Sequence, residues 1–474
     1  MPQRILVVGA GPAGLAAAWR AAAGGHEVAV VERAEVVGGM AGSFEVAGVR
    51  VDHGSHRLHP STPPEVLGAL RGLLGDDLQD RPRHGRIRLT GRWVGFPLRT
   101  ADLLSRLPPG FAVRAAADAL TGPLRRPRQA PGSHGARPRD TFAEVVRCGL
   151  GPAVAEEFYG PYVRKLWGMD PEALAGDLAR RRVSAASAGA VARRLVRARQ
   201  PAGRTFLYPR GGFGRISEAL AEAAEGAGVS IRLGCGLTSV ISASGPDGPV
   251  LSVRLDDGTS IEADLLWSTI PLPELARRVD PAPPATLLAA AGRLEHRALA
   301  LVYLVLDQPW WTEFDAHYFP ALDNPVARLS EPKRYRDDPA DPTDRTVLCA
   351  EVPCDVGDAV WSAPAADLGA LVADALARDD LPPVRAAQVE VRRLPRVYPR
   401  YRPGFAWDLA RLELWLADQR GIVSFGRQGL FVPDNTHHAL AMGWAAAACL
   451  ADDHWDALAW RTARDGFRTH VVED

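Results

Sequence analysis

The sequence has no excess of charge. Its 56 Lys and Arg balance 56 Asp and Glu, for a formal net charge of zero at pH 7. That removes the global field by which a protein gathers nucleic acid or an anionic membrane, and no nucleic-acid partner is expected. Cysteine is sparse too. Cys148, Cys235, Cys349, Cys354 and Cys449 form an odd, scattered set. Nothing near the one close pair, Cys349 and Cys354, completes a zinc site, so they read as reduced thiols of a cytoplasmic protein. No uncharged stretch is long enough to span a bilayer. The N-terminus lacks the basic start, apolar block and cleavage site of a signal peptide. What remains is ordinary globular composition, 47% hydrophobic and 24% charged over 474 residues, enough for two or three domains or one large domain with insertions.

The first informative stretch is "ILVVGAGPAGLAAAWRAAAGGHEVAVVE", which reads as strand, tight turn, helix, strand. Ile5 to Val8 suit a buried parallel strand. Gly9, Gly11 and Gly14 supply G-x-G-x-x-G: a sharp turn, a close approach to a pyrophosphate, and close helix–strand packing. The helix N-terminus stabilises phosphate charge. Glu32 ends the second strand, where a carboxylate can take ribose hydroxyls and would repel a 2′-phosphate. The fold class expected is α/β, with a Rossmann nucleotide-binding domain. The continuation "VVGGMAGSFEVAGVRVDHGSH" resembles the glutathione-reductase-type FAD superfamily, in which paired glycines such as Gly38 and Gly39 carry the backbone along the cofactor. FAD is therefore expected over NAD, held without a covalent link.

Such domains are discontinuous in sequence, and two returns are legible. "TFLYPRGGFGRISEALAEAAEGAGVSIRLGCGLTSVISA" reads as turn, helix and strand, followed by strands around a D-G turn. "GIVSFGRQGLFVPDNTHHALAMGWAAAACLADD" reads as a strand, a Gly-Arg turn and an alanine-rich helix with Asp434, Asn435 and Thr436 at its start. The organisation expected is FAD-binding residues 1–90, 205–292 and 415–474, a helical insertion over 91–204, and an antiparallel-sheet substrate domain over 293–414. The Pro/Gly/Arg-rich segment 125–140 reads as a solvated loop. A basic membrane-surface patch is its alternative, so peripheral membrane contact stays open. No oligomeric state is indicated.

Taken together, the motif order resembles the UDP-galactopyranose mutase, protoporphyrinogen oxidase and amine oxidase superfamily over nearly the whole chain. "YPRGGFGRISEAL" resembles the oxidases, whereas "GRWVGFPLRTADLL", "YGPYVRKLWGMDPEAL" and "GRLEHRALALVYLVLD" are similar to the mutases. The resemblance places His56, in "GSHRLH", beside the flavin, with His59 near it. His53 and His59 otherwise read as hydrogen-bonded packing. A metal is not expected there, because no carboxylate or cysteine set at ligand spacing accompanies them. Cofactor contacts are implied for Arg33, Gly39, Met40, Gly54, Ser55, Gly426, Arg427, Asn435 and Thr436. For substrate, the resemblance implies that Tyr162 and Trp167 hold a flat base and that Arg181 and Arg297 meet a diphosphate, for which the planar guanidinium fork is apt. The competing reading makes Tyr162 and Trp167 core aromatics, Arg181 part of the exposed basic face "ARRRV", and Arg297 a surface salt bridge. The chain departs from the mutases at Phe431 and Asp434, where they carry tyrosines, and at Ala185, where they carry an arginine.

Two classes of function follow. One is a flavin-dependent oxidoreductase that removes a hydride from a small anionic or sugar-bearing metabolite, with His56 as base where one is needed. The other is a redox-neutral nucleotide-sugar mutase with Arg181 and Arg297 on the leaving diphosphate. A non-catalytic flavin-binding scaffold is the weakest reading.

Overall fold

The structure, a computed structural model, describes residues 2–97, 106–125, 140–183, 205–245, 248–451 and 454–473. Residues 126–139 of the Pro/Gly/Arg-rich segment 125–140, and Ala185, lie outside them. Strand alternation organises the centre. Arg4–Val8 is flanked in parallel by Glu27–Val31 and Leu265–Ser268, and the sheet is completed in parallel by Ser230–Arg232 and Ile422–Ser424. Because successive side chains face opposite sides, Ile5 and Val7 join the core shared with the helix Pro12–Ala23. Leu6 and Val8 join the core shared with Leu237, Val240, Leu251 and Val253 of a four-stranded sheet. Ile5, Leu6, Val7 and Val8 of this five-residue strand are all buried, as expected for a parallel strand covered on both faces.

The helix Thr436–Ala448 packs on Pro12–Ala23 through small residues. A Cβ on Gly443 would lie 2.3 Å from the Ala13 carbonyl oxygen, so the alanine-rich composition sets the helix spacing. Asn435 is the N-cap of that helix.

The roof is a seven-stranded sheet in the order Gln388–Pro399, His296–Leu306, Thr346–Cys354, Arg328–Ser330, Ala316–Tyr318, Gly85–Leu89, Arg92–Phe96. The first five strands are antiparallel, as read from their runs. The hairpin Gly85–Phe96 straddles the boundary expected at residue 90 and joins the roof through a parallel contact with Ala316–Tyr318. Helices Pro109–Arg125, Phe142–Leu150, Gly160–Trp167 and Gly176–Arg182 are among the described elements of the insertion. No helix among the described residues is long and apolar enough to cross a membrane.

Two buried histidines give the fold an acid sensitivity. Burial, then Arg86, pushes His317 down to about 3, and burial, then His438, pushes His437 down to about 3. Unfolded histidines titrate near 6.5. As pH falls below that value the unfolded chain takes protons that the folded chain refuses, so stability present above about 6.5 is lost toward 3. Melting temperature should fall between pH 7.5 and 4.5, and His317→Phe should flatten that fall. An unchanged slope would remove His317 from the account.

Candidate active site

A cavity of roughly 400 Å³ lies between the central sheet and the roof. Its floor is the glycine turn. Gly9 has φ +109°, and a Cβ there would sit 2.2 Å from Thr269 Oγ1. A Cβ on Gly14 would sit 2.0 Å from the Gly9 carbonyl oxygen, so this glycine serves packing. Gly11 differs from both: it lines the cavity, and a Cβ there meets nothing within 4 Å. Glu32 closes this end, its carboxylate accepting from the backbone N–H of Ala10 and of Ala34, each at 2.9 Å.

The histidine-bearing turn forms a second wall. It is fixed from below by buried Asp52, which accepts from Ser43 Oγ at 2.6 Å, Tyr208 Oη at 2.5 Å and Phe213 N–H at 3.0 Å. These bonds tie "VDHGSH" to "YPRGGF", two motifs far apart in sequence. Ser55 N–H donates to Glu351 Oε1 at 2.9 Å. His56 stacks on Phe213 with ring centroids 5.2 Å apart. Its Nε2 lies 3.0 Å from the His53 carbonyl oxygen, which can only accept. That bond sets the Nε2–H tautomer and leaves Nδ1 as the acceptor. Burial holds the ring below its ordinary pKa, so it is neutral at pH 7.

Cations dominate the remaining walls, most of them with partners. Arg328 donates through Nε and Nη2 to Glu351 Oε1 at 3.0 and 2.7 Å. Burial alone would lower its pKa, yet Glu351 raises it well above the ordinary value. Arg57 donates to Asp315 Oδ1 at 3.0 Å and to Tyr318 Oη at 3.2 Å, between the rings of Phe206 and Tyr335. Arg427 donates to the carbonyls of Asp434 and Val397, both at 2.7 Å, while its buried Nε has no partner. Burial, then Arg182, lowers its pKa. Arg182 lies over the Trp167 ring at 5.4 Å and lines the cavity with Tyr398 and Tyr162.

Of the residues singled out in the sequence, Gly9, Gly11, Glu32, Gly39, Met40, His53, Gly54, Ser55, His56, Tyr162, Gly426, Arg427, Asp434, Asn435 and Thr436 line this cavity. The others lie elsewhere. Arg297 follows Gly168 in space and pairs with Asp355, because a register shift between Arg297 and Leu299 turns it from the cavity. Arg181 holds Asp434 Oδ1 at 3.2 Å, one helix position before the cavity-lining Arg182. Trp167 is buried, with its Nε1 donating to the Pro399 carbonyl at 3.1 Å. Phe431 is buried in the core, its φ of +53° notwithstanding. Arg33 is exposed. His59 turns outward to Ser61 Oγ at 2.7 Å and Glu473 at 3.0 Å. Sequence reasoning missed Arg57, Arg182, Arg328, Glu351 and Tyr398. Arg57 was readable as the neighbour of His56, whereas the Arg328–Glu351 pair forms only across two roof strands.

A phytoene dehydrogenase of Streptomyces griseus is 43% identical over 77 residues, which is 16% of this chain and 15% of that relative. Among solved structures, reduced UDP-galactopyranose mutase superposes with a TM-score of 0.80 at 20% identity, covering 99% of this chain and 100% of its own. Putrescine oxidase bound to putrescine gives 0.65 at 19% identity, covering 98% and 99%. Cyclohexylamine oxidase from Brevibacterium oxydans gives 0.66 at 16%, covering 96% and 99%. These likenesses establish the fold. The sequence family described as flavin containing amine oxidoreductase matches residues 12–409. The chain belongs to that family, and FAD is its cofactor.

Proposed function

We propose that the chain removes a hydride from a small anionic or sugar-bearing metabolite enclosed between the glycine floor and the roof sheet. The observation that carries this reading is one continuous cavity that joins the open face of Gly11 to a roof and side wall bearing Arg182, Arg427, Tyr398 and the Arg328–Glu351 pair. The site fits FAD on two grounds. A side chain at Gly11 would project into free cavity space, and the orphaned Nε of Arg427 is a buried donor awaiting an acceptor. Gly9, Gly11, Glu32, Gly39 and Met40 would hold the nucleotide part without a covalent link, and Arg427, Asn435 and Thr436 the far end.

FAD, when bound, supplies two-electron acceptor chemistry. The chain supplies the rest. Arg182 and Tyr398 orient the substrate's anionic or hydroxyl-bearing end. The roof excludes water and so strengthens those contacts. His56 Nδ1 takes the proton that a substrate O–H or N–H sheds as its neighbouring C–H is oxidised.

The redox-neutral mutase is the second reading. Tyr162 and Arg182 in the cavity favour it, whereas Arg297 and Trp167 have left the positions it needs. Anaerobic addition of nucleotide sugars, amino sugars and porphyrinogens to the oxidised protein separates the two. Bleaching of the flavin absorbance by one class supports hydride removal. Turnover only after dithionite reduction replaces it with the mutase. With a turned-over substrate, Arg182→Ala should lower kcat/KM more than about tenfold, the equivalent of about 1.4 kcal/mol. Arg297→Ala should stay within about threefold, because its guanidinium is held by Asp355 outside the cavity lining. Reversed effects would return the anion site to Arg297.

A further inference from the structure

Asp434 presents an unusual arrangement. Its side chain has no exposed surface, yet the residue lines the cavity at the N-terminus of Thr436–Ala448. Oδ1 takes Arg181 Nη1 at 3.2 Å, and Oδ2 lies 2.7 Å from His470 Nδ1. The Asp434 carbonyl takes Arg427. The neighbouring backbone is held as well. Asn435 and Glu473 exchange side-chain and main-chain bonds, both at 3.0 Å, and Val472 N–H donates to the Arg181 carbonyl at 2.7 Å.

Asp434, His438 and His470 could together be read as a metal site, since their donor atoms lie within 4.8 Å of one another. The ring geometry opposes that. His438 Nδ1 already accepts the Asn435 N–H at 3.3 Å, and its ring stacks on His470 at 4.2 Å with 14° between planes. Lone pairs lie in the ring planes, so here they run side by side instead of converging on an ion. Arg181 adds a cation where a metal would need anions.

We infer that Arg181, Asp434 and His470 form a buried charge group that sets the reduction potential of the bound flavin, with Arg181 acting through Asp434. The inference rests on FAD occupying this cavity. A desolvated carboxylate acts over many ångströms because little solvent screens it. Unopposed, it resists the arrival of electrons in the cavity. The helix N-terminus and Arg181 oppose it, and His470 Nδ1 meets its second oxygen. The other titratable or charged groups around the trio are Arg182, Arg427 and His438, and beyond them His59, His437 and Glu473; burial pushes His438 down to about 4 and His437 down to about 3, so both are neutral at pH 7.5.

The test is a dye-coupled redox titration of the FAD-loaded protein at pH 7.5. Arg181→Ala removes a positive charge and should shift the midpoint to a more negative value. Asp434→Asn, nearly isosteric, removes a negative charge and should shift it the other way. Each shift should be at least tenfold in the oxidised-to-reduced equilibrium, or about 30 mV for a two-electron couple. Arg181→Lys should restore the wild-type value. A residue that only braces the fold would lower stability or flavin content without shifts of opposite sign. A residue that only binds substrate would leave the substrate-free potential unmoved. Unmoved potentials, or shifts of the same sign, overturn the inference. If Arg181→Ala sheds its flavin, Asp434→Asn decides the sign alone. A wild-type protein that binds no FAD would refute the cavity assignment instead.

Discussion

Gly11→Val should purify without colour while melting as a folded protein. The residue has φ −79°, which any side chain tolerates, and its Cβ direction is open. Its Cβ therefore meets no protein atom within 4 Å. It occupies the space where a pyrophosphate must approach the backbone. FAD affinity should fall by two orders of magnitude or more, read as flavin absorbance retained after gel filtration and as far-UV circular dichroism left unchanged. Gly14→Val is the informative contrast. There even a methyl group would lie 2.0 Å from the Gly9 carbonyl oxygen and 3.2 Å from Val7 Cγ1. The helix would have to leave the sheet, and overpacking of this kind costs about 1–3 kcal/mol or more. That variant should lose solubility and flavin together. A yellow Gly11→Val protein would mean that the cofactor lies elsewhere.

The second large effect concerns the roof. Glu351→Ala leaves Arg328 charged among buried residues with no carboxylate, and removing one partner of a buried pair costs about 3–5 kcal/mol. It also releases the Ser55 N–H that positions the His56 turn. Urea melts should show a large fall in midpoint for Glu351→Ala and for Arg328→Ala. The double replacement Arg328→Met with Glu351→Leu should recover most of it, because no stranded charge remains. Strong non-additivity is the signature of a direct pair. Additive losses would show that each residue acts through other neighbours.

How the sequence foreshadowed the site follows a physical line. Functions carried by backbone shape were legible. Gly9 and Gly11 need a conformation or an approach that only glycine allows. Gly426 has φ +79° and leaves 3.2 Å between its Cβ direction and the Ala13 Cβ. The start of the helix Thr436–Ala448 was readable for a similar reason, since Asn435 caps it. The runs around Leu301 and Leu348 announced the roof by their length and β-branched content.

Side-chain direction was less legible. One helix position turns a side chain by about 100°. Arg181 and Arg182 are therefore indistinguishable in "ARRRV", although one meets Asp434 and the other the cavity. A similar limit applies at Arg297, where a bulge next to the strand start sends the guanidinium to Asp355. Partners across a sheet leave no local pattern at all. Arg328 and Glu351 stand directly opposite on neighbouring strands, and only that register makes them a pair. The alternative of core aromatics describes Trp167, while Tyr162, five residues earlier on the same helix, reaches the cavity.

The order of the central sheet has a consequence for biosynthesis. Arg4–Val8 emerges first but sits between Glu27–Val31 and Leu265–Ser268, with Ile422–Ser424 beyond. At about 5–20 residues per second, roughly 20–80 s of translation separate Val8 from Ile422. Throughout that interval a nascent chain carries an apolar strand with one flank uncovered, a template for pairing with other chains. Gly426, Arg427, Gln428, Asp434, Asn435 and Thr436, which wall the cavity, arrive later still. The cavity walls are therefore complete only once these segments have been made, and yield in a heterologous host should respond to chaperone supply and slower induction before it responds to added riboflavin.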